Sequence, residues 1–83
     1  MFYVYILRSQ TTHRYYVGST EDVANRIEEH NRGESKSTRG GVPWEIVRVE
    51  EFSSRSDAMK QEAKIKARGI GRYLSDLVMK QPG

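Results

Sequence analysis

The chain has 83 residues, with fourteen lysines and arginines against eleven aspartates and glutamates, which gives a formal net charge of +3. This length predicts one domain, residues 1–83, with a small core, because such a chain buries only roughly 60% of the surface that it exposes when unfolded. Cysteine is absent, which excludes disulfides and thiolate zinc sites and agrees with a reducing compartment, while the small positive charge favours a polyanionic partner only mildly.

The first predicted element is an antiparallel β-hairpin. Phe2 to Ser9 and Arg14 to Gly18 are rich in β-branched and aromatic residues, and the polar residues 10–13 between them are few enough for a turn. Tyr3 to Leu7 is the longest purely apolar or aromatic run, far below the ~20 residues that a membrane helix needs. The residues ahead of it lack the basic region of a signal peptide. A cytoplasmic protein without a membrane segment is therefore expected.

The tyrosines of this hairpin have two possible roles. Side chains alternate between the two faces of a strand, so Tyr3 and Tyr5 share one face, as do Tyr16 and Gly18 on the second strand. A strand tyrosine is most often a core aromatic whose hydroxyl reaches water, and this interpretation suits Tyr3 and Tyr15 best. Gly18 permits a close approach of backbone or ligand, although a plain turn requirement would also explain it.

The next predicted elements are a helix and a loop. Ser19 is placed to begin the helix, with Asp22 three residues later completing a capping box, and Gly33 is placed to end it. Residues 33–43 contain three glycines and few apolar side chains. This composition predicts a mobile loop.

The buried stripe of this helix also places two polar side chains. At 100° per residue the stripe consists of Val23, Ala24 and Ile27. Arg26 and His30 lie one turn apart along its border and therefore face the seam between helix and sheet. Taken singly, Arg26 is typical of a surface residue with a buried stem, and His30 of a half-buried ring with satisfied hydrogen bonds.

A third strand and two helices complete the predicted order. Trp44 to Phe52 forms the strand, and Ser54 with Asp57 repeats the capping pattern ahead of a helix that runs to Arg68. Gly69 and Gly71 then separate this helix from a short C-terminal helix, which carries Tyr73, Leu74, Leu77 and Val78. The order ββα-β-αα predicts an α/β fold with a three-stranded antiparallel sheet flanked by helices.

Glu62 is the least expected residue of the second helix. Ala58, Met59 and Ile65 form the apolar stripe, and Glu62 projects from its middle. A carboxylate in that position is unfavourable unless a cation meets it, and a metal ion is one such cation. The alternative is an ion pair with Lys66, which contributes only about 0.3 to 0.5 kcal/mol. The position favours a functional role.

Further cations on the loop and on the exposed face of the second helix are candidates for phosphate contacts or for an ordinary solvated surface. These candidates are Arg32, Lys36, Arg39, Lys60, Lys64 and Arg68.

In chain order these residues resemble the GIY-YIG endonuclease superfamily, over nearly the whole chain as far as about Val78. Tyr3-Val4-Tyr5 and Tyr16-Val17-Gly18 correspond to its two motif tripeptides, and an arginine, a histidine and a distant helical glutamate follow at the family's spacing. The chain most resembles the small stand-alone bacterial members, which are related to the nuclease domain of the excision-repair incision subunit. This resemblance implies a metal-dependent endonuclease of nucleic acid, with DNA as the expected partner and DNA repair as the expected setting.

The resemblance also implies a role for each motif residue. Tyr5 and Tyr16 are the motif tyrosines, Arg26 stabilises the phosphate, Glu62 is the ligand of a single Mg²⁺ or Mn²⁺, and His30 assists. The corresponding mechanism has Tyr5 take the proton of the attacking water. A free tyrosine is only about 0.1% ionised at pH 7, so either nearby positive charge lowers the pKa of Tyr5 or Tyr5 plays a lesser role.

Two departures from the family pattern keep other functions open. The first tripeptide lacks the family's glycine and isoleucine, and no asparagine follows Asn31 to match the C-terminal asparagine of some members. The main alternative is a nucleic-acid-binding module that keeps the fold but does not cut. A third possibility is a domain that binds a protein partner in a repair or transposition complex.

Overall fold

Three strands and three α-helices lie along residues 1–79, the part of the chain that this computed structural model describes. The elements are β1 (Phe2–Ser9), β2 (Tyr15–Thr20), α1 (Val23–Asn31), a 3₁₀ turn (Arg39–Gly41), β3 (Trp44–Phe52), α2 (Arg55–Arg68) and α3 (Ile70–Met79). This order confirms the predicted α/β class with a three-stranded antiparallel sheet and flanking helices. Within these residues no helix is both long enough and apolar enough to cross a membrane.

The sheet has the order β2-β1-β3, with both neighbours antiparallel to the central strand β1. A central strand covered on both faces needs apolar side chains on both, which explains the unbroken buried run from Val4 to Leu7. On one face Val4 and Ile6 pack with residues of α2. On the other face Tyr5 and Leu7 pack with Trp44 and the apolar residues of α1. The two helices therefore lie on opposite sides of the sheet.

The predicted start of α1 is wrong by several residues. Ser19 does not cap the helix, because it pairs with Val4 across the sheet and β2 continues to Thr20. Asp22 is the N-cap instead, and its carboxylate accepts a hydrogen bond of 3.0 Å from the backbone N–H of Asn25.

The predicted stripes of the two helices also need correction. Ala24 is exposed on α1, where only Val23 and Ile27 of the predicted stripe pack against the sheet. On α2, Met59 is 55% exposed, whereas Ala58 and Ile65 are buried as predicted. Both errors concern residues at the edge of a stripe, where a rotation of one helix by a few tens of degrees decides which side chain is covered.

The glycines around the helix ends behave differently from one another. Gly33 and Gly69 adopt positive φ angles of 76° and 95° after α1 and α2, which is the backbone region that favours glycine. Gly71, which was predicted to separate the last two helices, lies inside α3. The predicted cap of α2 is confirmed, since the Ser54 hydroxyl accepts from the backbone N–H of Asp57 at 3.1 Å.

The segment between α1 and β3 has more structure than the predicted loop. It contains the 3₁₀ turn, and Thr38 and Gly41 are buried. The Ser9 hydroxyl donates to the carbonyl of Gly41 at 2.6 Å, and the indole N–H of Trp44 donates to the carbonyl of Thr38 at 2.7 Å. These buried bonds tie the segment to the sheet, next to the residues described below.

Candidate active site

The site begins with a close approach between two neighbouring strands. Tyr5 on β1 lies directly opposite Gly18 on β2 and is almost completely buried. A Cβ atom on Gly18 would stand 2.6 Å from the Tyr5 hydroxyl oxygen, closer than real contacts allow. Gly18 has no positive φ angle. The glycine is therefore required for the space that the Tyr5 phenol occupies, and the turn explanation is wrong.

A buried hydrogen-bonded chain runs from Tyr5 through His30 to Thr38. The Tyr5 hydroxyl lies 3.0 Å from Nε2 of His30, and Nδ1 of His30 lies 2.7 Å from Oγ1 of Thr38. His30 is 0% exposed, so neither of its ring nitrogens reaches water. This three-residue chain is called the relay below.

The proton positions along the relay follow from its ends. Arg26 donates to the Tyr5 oxygen, because a guanidinium has no acceptor. The Tyr5 O–H is then directed at His30, which accepts at Nε2 and carries its own proton at Nδ1. That proton is donated to Thr38, whose hydroxyl in turn donates to the carbonyl of Ser35 at 3.5 Å. In this arrangement each hydrogen-bond donor of the relay faces an acceptor.

The ionisation of both titratable groups in the relay is shifted. Burial raises the pKa of Tyr5 to about 12, and the nearby Tyr16 and Glu62 add to this effect although Arg26 opposes it. The lowered pKa that a free phenolate base would require is therefore not found at Tyr5, because loss of solvent outweighs the guanidinium. Burial, followed by the charge of Arg26, lowers the pKa of His30. At neutral pH the relay thus holds a neutral phenol and a neutral imidazole.

The shift at His30 predicts a stability that declines in mild acid. Its folded-state pKa lies below the usual 6.5, so the unfolded chain binds the proton more readily. The stabilisation is complete above about pH 6.5 and is lost as the pH falls from there towards the folded-state value. Urea unfolding of wild type and His30→Gln from pH 8 to pH 5 measures this, and the wild-type advantage should shrink below pH 6.5. An advantage that grows in acid would contradict the buried neutral imidazole.

Tyr16 covers the open side of the relay. Its ring centroid lies 5.0 Å from that of His30 and 6.3 Å from that of Tyr5, in tilted or edge-on arrangements. Trp44 follows at 6.4 Å from Tyr16. Tyr16 is half-buried, whereas Tyr5 is buried, so Tyr16 is the phenol that a ligand would meet first.

Arg26 is placed at the mouth of the site, as the helical spacing predicted. Its guanidinium hydrogen-bonds to Tyr5, and one of its nitrogens lies 3.4 Å from the carboxylate of Glu29. The side chain remains 32% exposed. A guanidinium has five N–H donors, so this position leaves donors for an anion beside the Tyr5 hydroxyl.

Glu62 approaches from the opposite side of the sheet. It belongs to α2, yet its negative charge is one of the causes that raise the pKa of Tyr5. The predicted alternative is also present, because Glu62 pairs with Lys66 at 2.9 Å and is only 21% exposed. Hydrogen bonds and ring contacts join Tyr5, Tyr16, Arg26 and His30, whereas Glu62 acts on Tyr5 only through its charge. The catalytic roles of all five side chains stay predictions.

A divalent metal ion would have one protein carboxylate at this place. Among residues 1–79 no three histidines, aspartates or glutamates are grouped closely enough to hold a metal ion. Magnesium often retains several waters and binds through one carboxylate together with substrate phosphates. Glu62 fits that kind of site, with Lys66 as the cation that an incoming metal ion would displace.

The predicted phosphate-binding cations are all exposed, but they differ in their partners. Arg32 and Arg68 already pair with carboxylates, on Glu34 and Asp76. Arg39 donates to a backbone carbonyl of its own loop at 3.0 Å. The remaining members of the set are Lys36, Lys60 and Lys64. Exposure agrees with phosphate binding and with a solvated surface alike, so this prediction stays a prediction.

Three residues that hold the site together were not identified from the sequence. Thr38 ends the relay, and Trp44 donates to its carbonyl. The Asn31 side chain grips the backbone of Trp44 at both ends, accepting from its N–H at 2.6 Å and donating to its carbonyl at 3.1 Å. A buried indole N–H needs a hydrogen-bond acceptor, and this requirement of Trp44 is the one signal in the sequence that could have pointed to the loop containing Thr38.

Comparisons with known proteins place this geometry among its relatives. The family described as the GIY-YIG catalytic domain matches residues 1–69. A UPF0213 protein of Halobacterium salinarum is 42% identical over 67 residues, which cover 80% of this chain and 86% of that protein. A UPF0213 protein of Natronomonas pharaonis is 46% identical over 66 residues, covering 78% and 76%. The solution NMR structure of a UPF0213 protein from Bacillus halodurans is 34% identical, with a TM-score of 0.58, and covers 96% of this chain and 86% of that one.

Proposed function

Because the chain belongs to the GIY-YIG catalytic domain family, we propose that it is an endonuclease that hydrolyses phosphodiester bonds in DNA with the help of a divalent metal ion. The family supports a nuclease-type function. The metal ion and the choice of DNA as substrate are the further parts of the proposal. The observation that carries the proposal is the buried relay of Tyr5, His30 and Thr38 with the Arg26 guanidinium at its outer end.

Arg26 supplies the charge that the phosphoryl oxygens need. Hydrolysis places additional negative charge on the non-bridging oxygens, and fixed N–H donors stabilise that charge more effectively than water does. The ion pair with Glu29 and the bond to Tyr5 hold the guanidinium in place before a substrate arrives. Arg26 therefore positions the phosphate within reach of the Tyr5 hydroxyl.

The relay moves the proton of the attacking water. With a pKa of about 12, Tyr5 is not ionised beforehand, so it does not act as a free phenolate. Instead the Tyr5 oxygen accepts a proton from water as its own proton passes to Nε2 of His30, 3.0 Å away. The ring then carries two protons, and its Nδ1 proton remains bonded to Thr38. The proton of the water ends on Tyr5 and the proton of Tyr5 ends on His30, so no free phenolate forms.

Glu62 would hold the divalent metal ion, Mg²⁺ or Mn²⁺, which when bound offsets the negative charge on the leaving 3′ oxygen. The chain's own contribution is a carboxylate that is partly shielded from solvent, whose charge acts on Tyr5, and which is paired with Lys66 until a metal ion replaces that ammonium group. This arrangement leaves part of the carboxylate accessible from solvent.

A second function, binding without cleavage, is favoured by one observation. Lys66 already neutralises Glu62 at 2.9 Å, so the fold does not depend on a metal ion there. A nucleic-acid-binding module would retain Arg26 and the surface cations for phosphate contacts and would not turn over. Metal-dependent cleavage separates this function from the endonuclease.

Arg26→Lys tests the proposed role of the guanidinium. The variant keeps the positive charge but loses the planar pair of donors, so we expect turnover to fall about a hundredfold while DNA binding changes about threefold or less. Single-turnover cleavage in Mg²⁺ and fluorescence anisotropy in EDTA measure the two quantities. Arg32→Lys is the matched control, because Arg32 pairs with Glu34 and makes no contact with the relay. Wild-type turnover by Arg26→Lys would contradict this role.

A further inference from the structure

A groove of about 340 Å³ lies beside the relay, and it is lined in part by Tyr16, whose ring packs against His30 of the relay. We propose that this groove holds one unpaired nucleotide next to the phosphate that is cleaved, so that the substrate is a nucleic acid with a locally single-stranded segment. The proposal rests on the endonuclease function proposed above and specifies its substrate. It involves residues that the sequence did not identify as nucleic-acid contacts, above all Arg14 and Gly40.

The lining of the groove suits a nucleotide. Tyr16 offers a partly exposed aromatic ring, and aromatic rings stack with any base. Thr12 and Ser37 bring hydroxyl groups that can bond to a base edge or a sugar. Arg14 also lines the groove and, within residues 1–79, its guanidinium has no carboxylate partner. It is therefore available for a phosphate, unlike Arg32.

One wall of the groove is formed by Gly40 and Gly41 of the 3₁₀ turn, which have no side chains. A Cβ atom on Gly41 would stand 2.4 Å from the Trp44 ring, so Gly41 is required for packing. Gly40 is different, because a Cβ atom there meets nothing within 4 Å and the residue has no positive φ angle. The fold does not require glycine at position 40. A larger side chain at that position would occupy groove space without disturbing the packed wall.

The size of the groove limits what enters it. Pockets for small ligands range from roughly 300 to 1,000 Å³, so about 340 Å³ has room for one nucleoside-sized group rather than a stacked base pair. A base inside a duplex is paired and stacked, and it must leave the stack before it can occupy such a pocket. An unpaired nucleotide does not pay this energy. The groove therefore favours single strands, overhangs and branch points over intact duplex.

Binding of three labelled DNA probes tests the groove independently of cleavage. A single strand, a duplex with a single-stranded overhang and a blunt duplex are compared by fluorescence anisotropy in EDTA. We expect wild type to bind the single strand and the overhang at least tenfold more tightly than the blunt duplex. Gly40→Leu should weaken binding of the first two about tenfold and leave the blunt duplex unchanged, while the matched control Ala24→Leu, which adds an apolar side chain at an exposed position outside the groove, should alter each less than twofold.

Equal wild-type affinity for all three probes would overturn the proposal, and so would unchanged single-strand binding by a folded Gly40→Leu. If Gly40→Leu does not fold, as judged by a thermal melt, Arg14→Gln is tested instead. Arg14 is exposed, so its replacement is tolerated by the fold, and it should weaken binding of the single strand more than binding of the blunt duplex. Cleavage in Mg²⁺ is measured separately. Cleavage without preference would contradict only the groove, whereas preferential binding without cleavage would contradict only the endonuclease.

Discussion

Glu62→Gln is expected to reduce Mg²⁺-dependent cleavage to background while the chain stays folded. Glutamine has nearly the same shape, so the side chain can keep its position near Tyr5, but the negative charge that would hold the cation is gone. The lost ion pair with Lys66 is largely exposed on the lysine side and contributes about 0.5 kcal/mol or less. Cleavage across a Mg²⁺ series, with thermal melts of the same samples, measures both effects.

Lys66→Gln is the informative companion to this variant. Removing the competing ammonium group frees the Glu62 carboxylate, so half-maximal cleavage should need less Mg²⁺ than in wild type. Glu51→Gln, which removes an exposed carboxylate from β3, controls for the general change in charge. Nicking at the wild-type rate by a folded Glu62→Gln would contradict the metal-ligand role.

Tyr5→Phe is expected to lower turnover by about 10² to 10⁴-fold, the usual range for a group that transfers a proton in the transition state. The same change should destabilise the fold by about 1 to 3 kcal/mol, because it leaves Nε2 of the buried His30 without a partner. Single-turnover rates and urea unfolding measure the two consequences separately.

Tyr3→Phe is the matched control for Tyr5→Phe. Tyr3 is a half-buried tyrosine on the same strand, and it takes no part in the relay. Its loss of a hydroxyl should leave both turnover and stability close to wild type. A Tyr5→Phe variant that cleaves within about threefold of wild type would remove Tyr5 from the proton transfer and leave it as a packing residue.

The elements that rest on local chemistry could be predicted from the sequence. The bounds of β1 and β3 follow from β-branched and aromatic runs, and the start of α2 follows from a serine cap, because these signals act within a few residues. The start of α1 was wrong because Ser19 and Asp22 both suit a cap. The choice between them is made by strand pairing with Val4, which is distant in sequence.

The arrangement of the site could be predicted only in part. The spacing of Arg26 and His30 follows from helix geometry, and both do face the sheet. The direction of the pKa shift of Tyr5 could not be predicted, because it depends on how deeply the phenol is buried. Thr38, the buried end of the relay, comes from a segment whose composition is typical of a loop, and the Trp44 indole that donates to its carbonyl begins β3. Their positions result from tertiary packing alone.

Cleavage by the purified wild-type chain tests the central claim most directly. End-labelled single-stranded and overhang DNA is incubated with Mg²⁺, with Mn²⁺ and with EDTA, beside Glu62→Gln, and the products are separated on a denaturing gel. We predict cut fragments with wild type in either metal ion, and none in EDTA or with Glu62→Gln. Intact DNA in every lane, from a folded chain that still binds the probes, would contradict the endonuclease and identify a binding module.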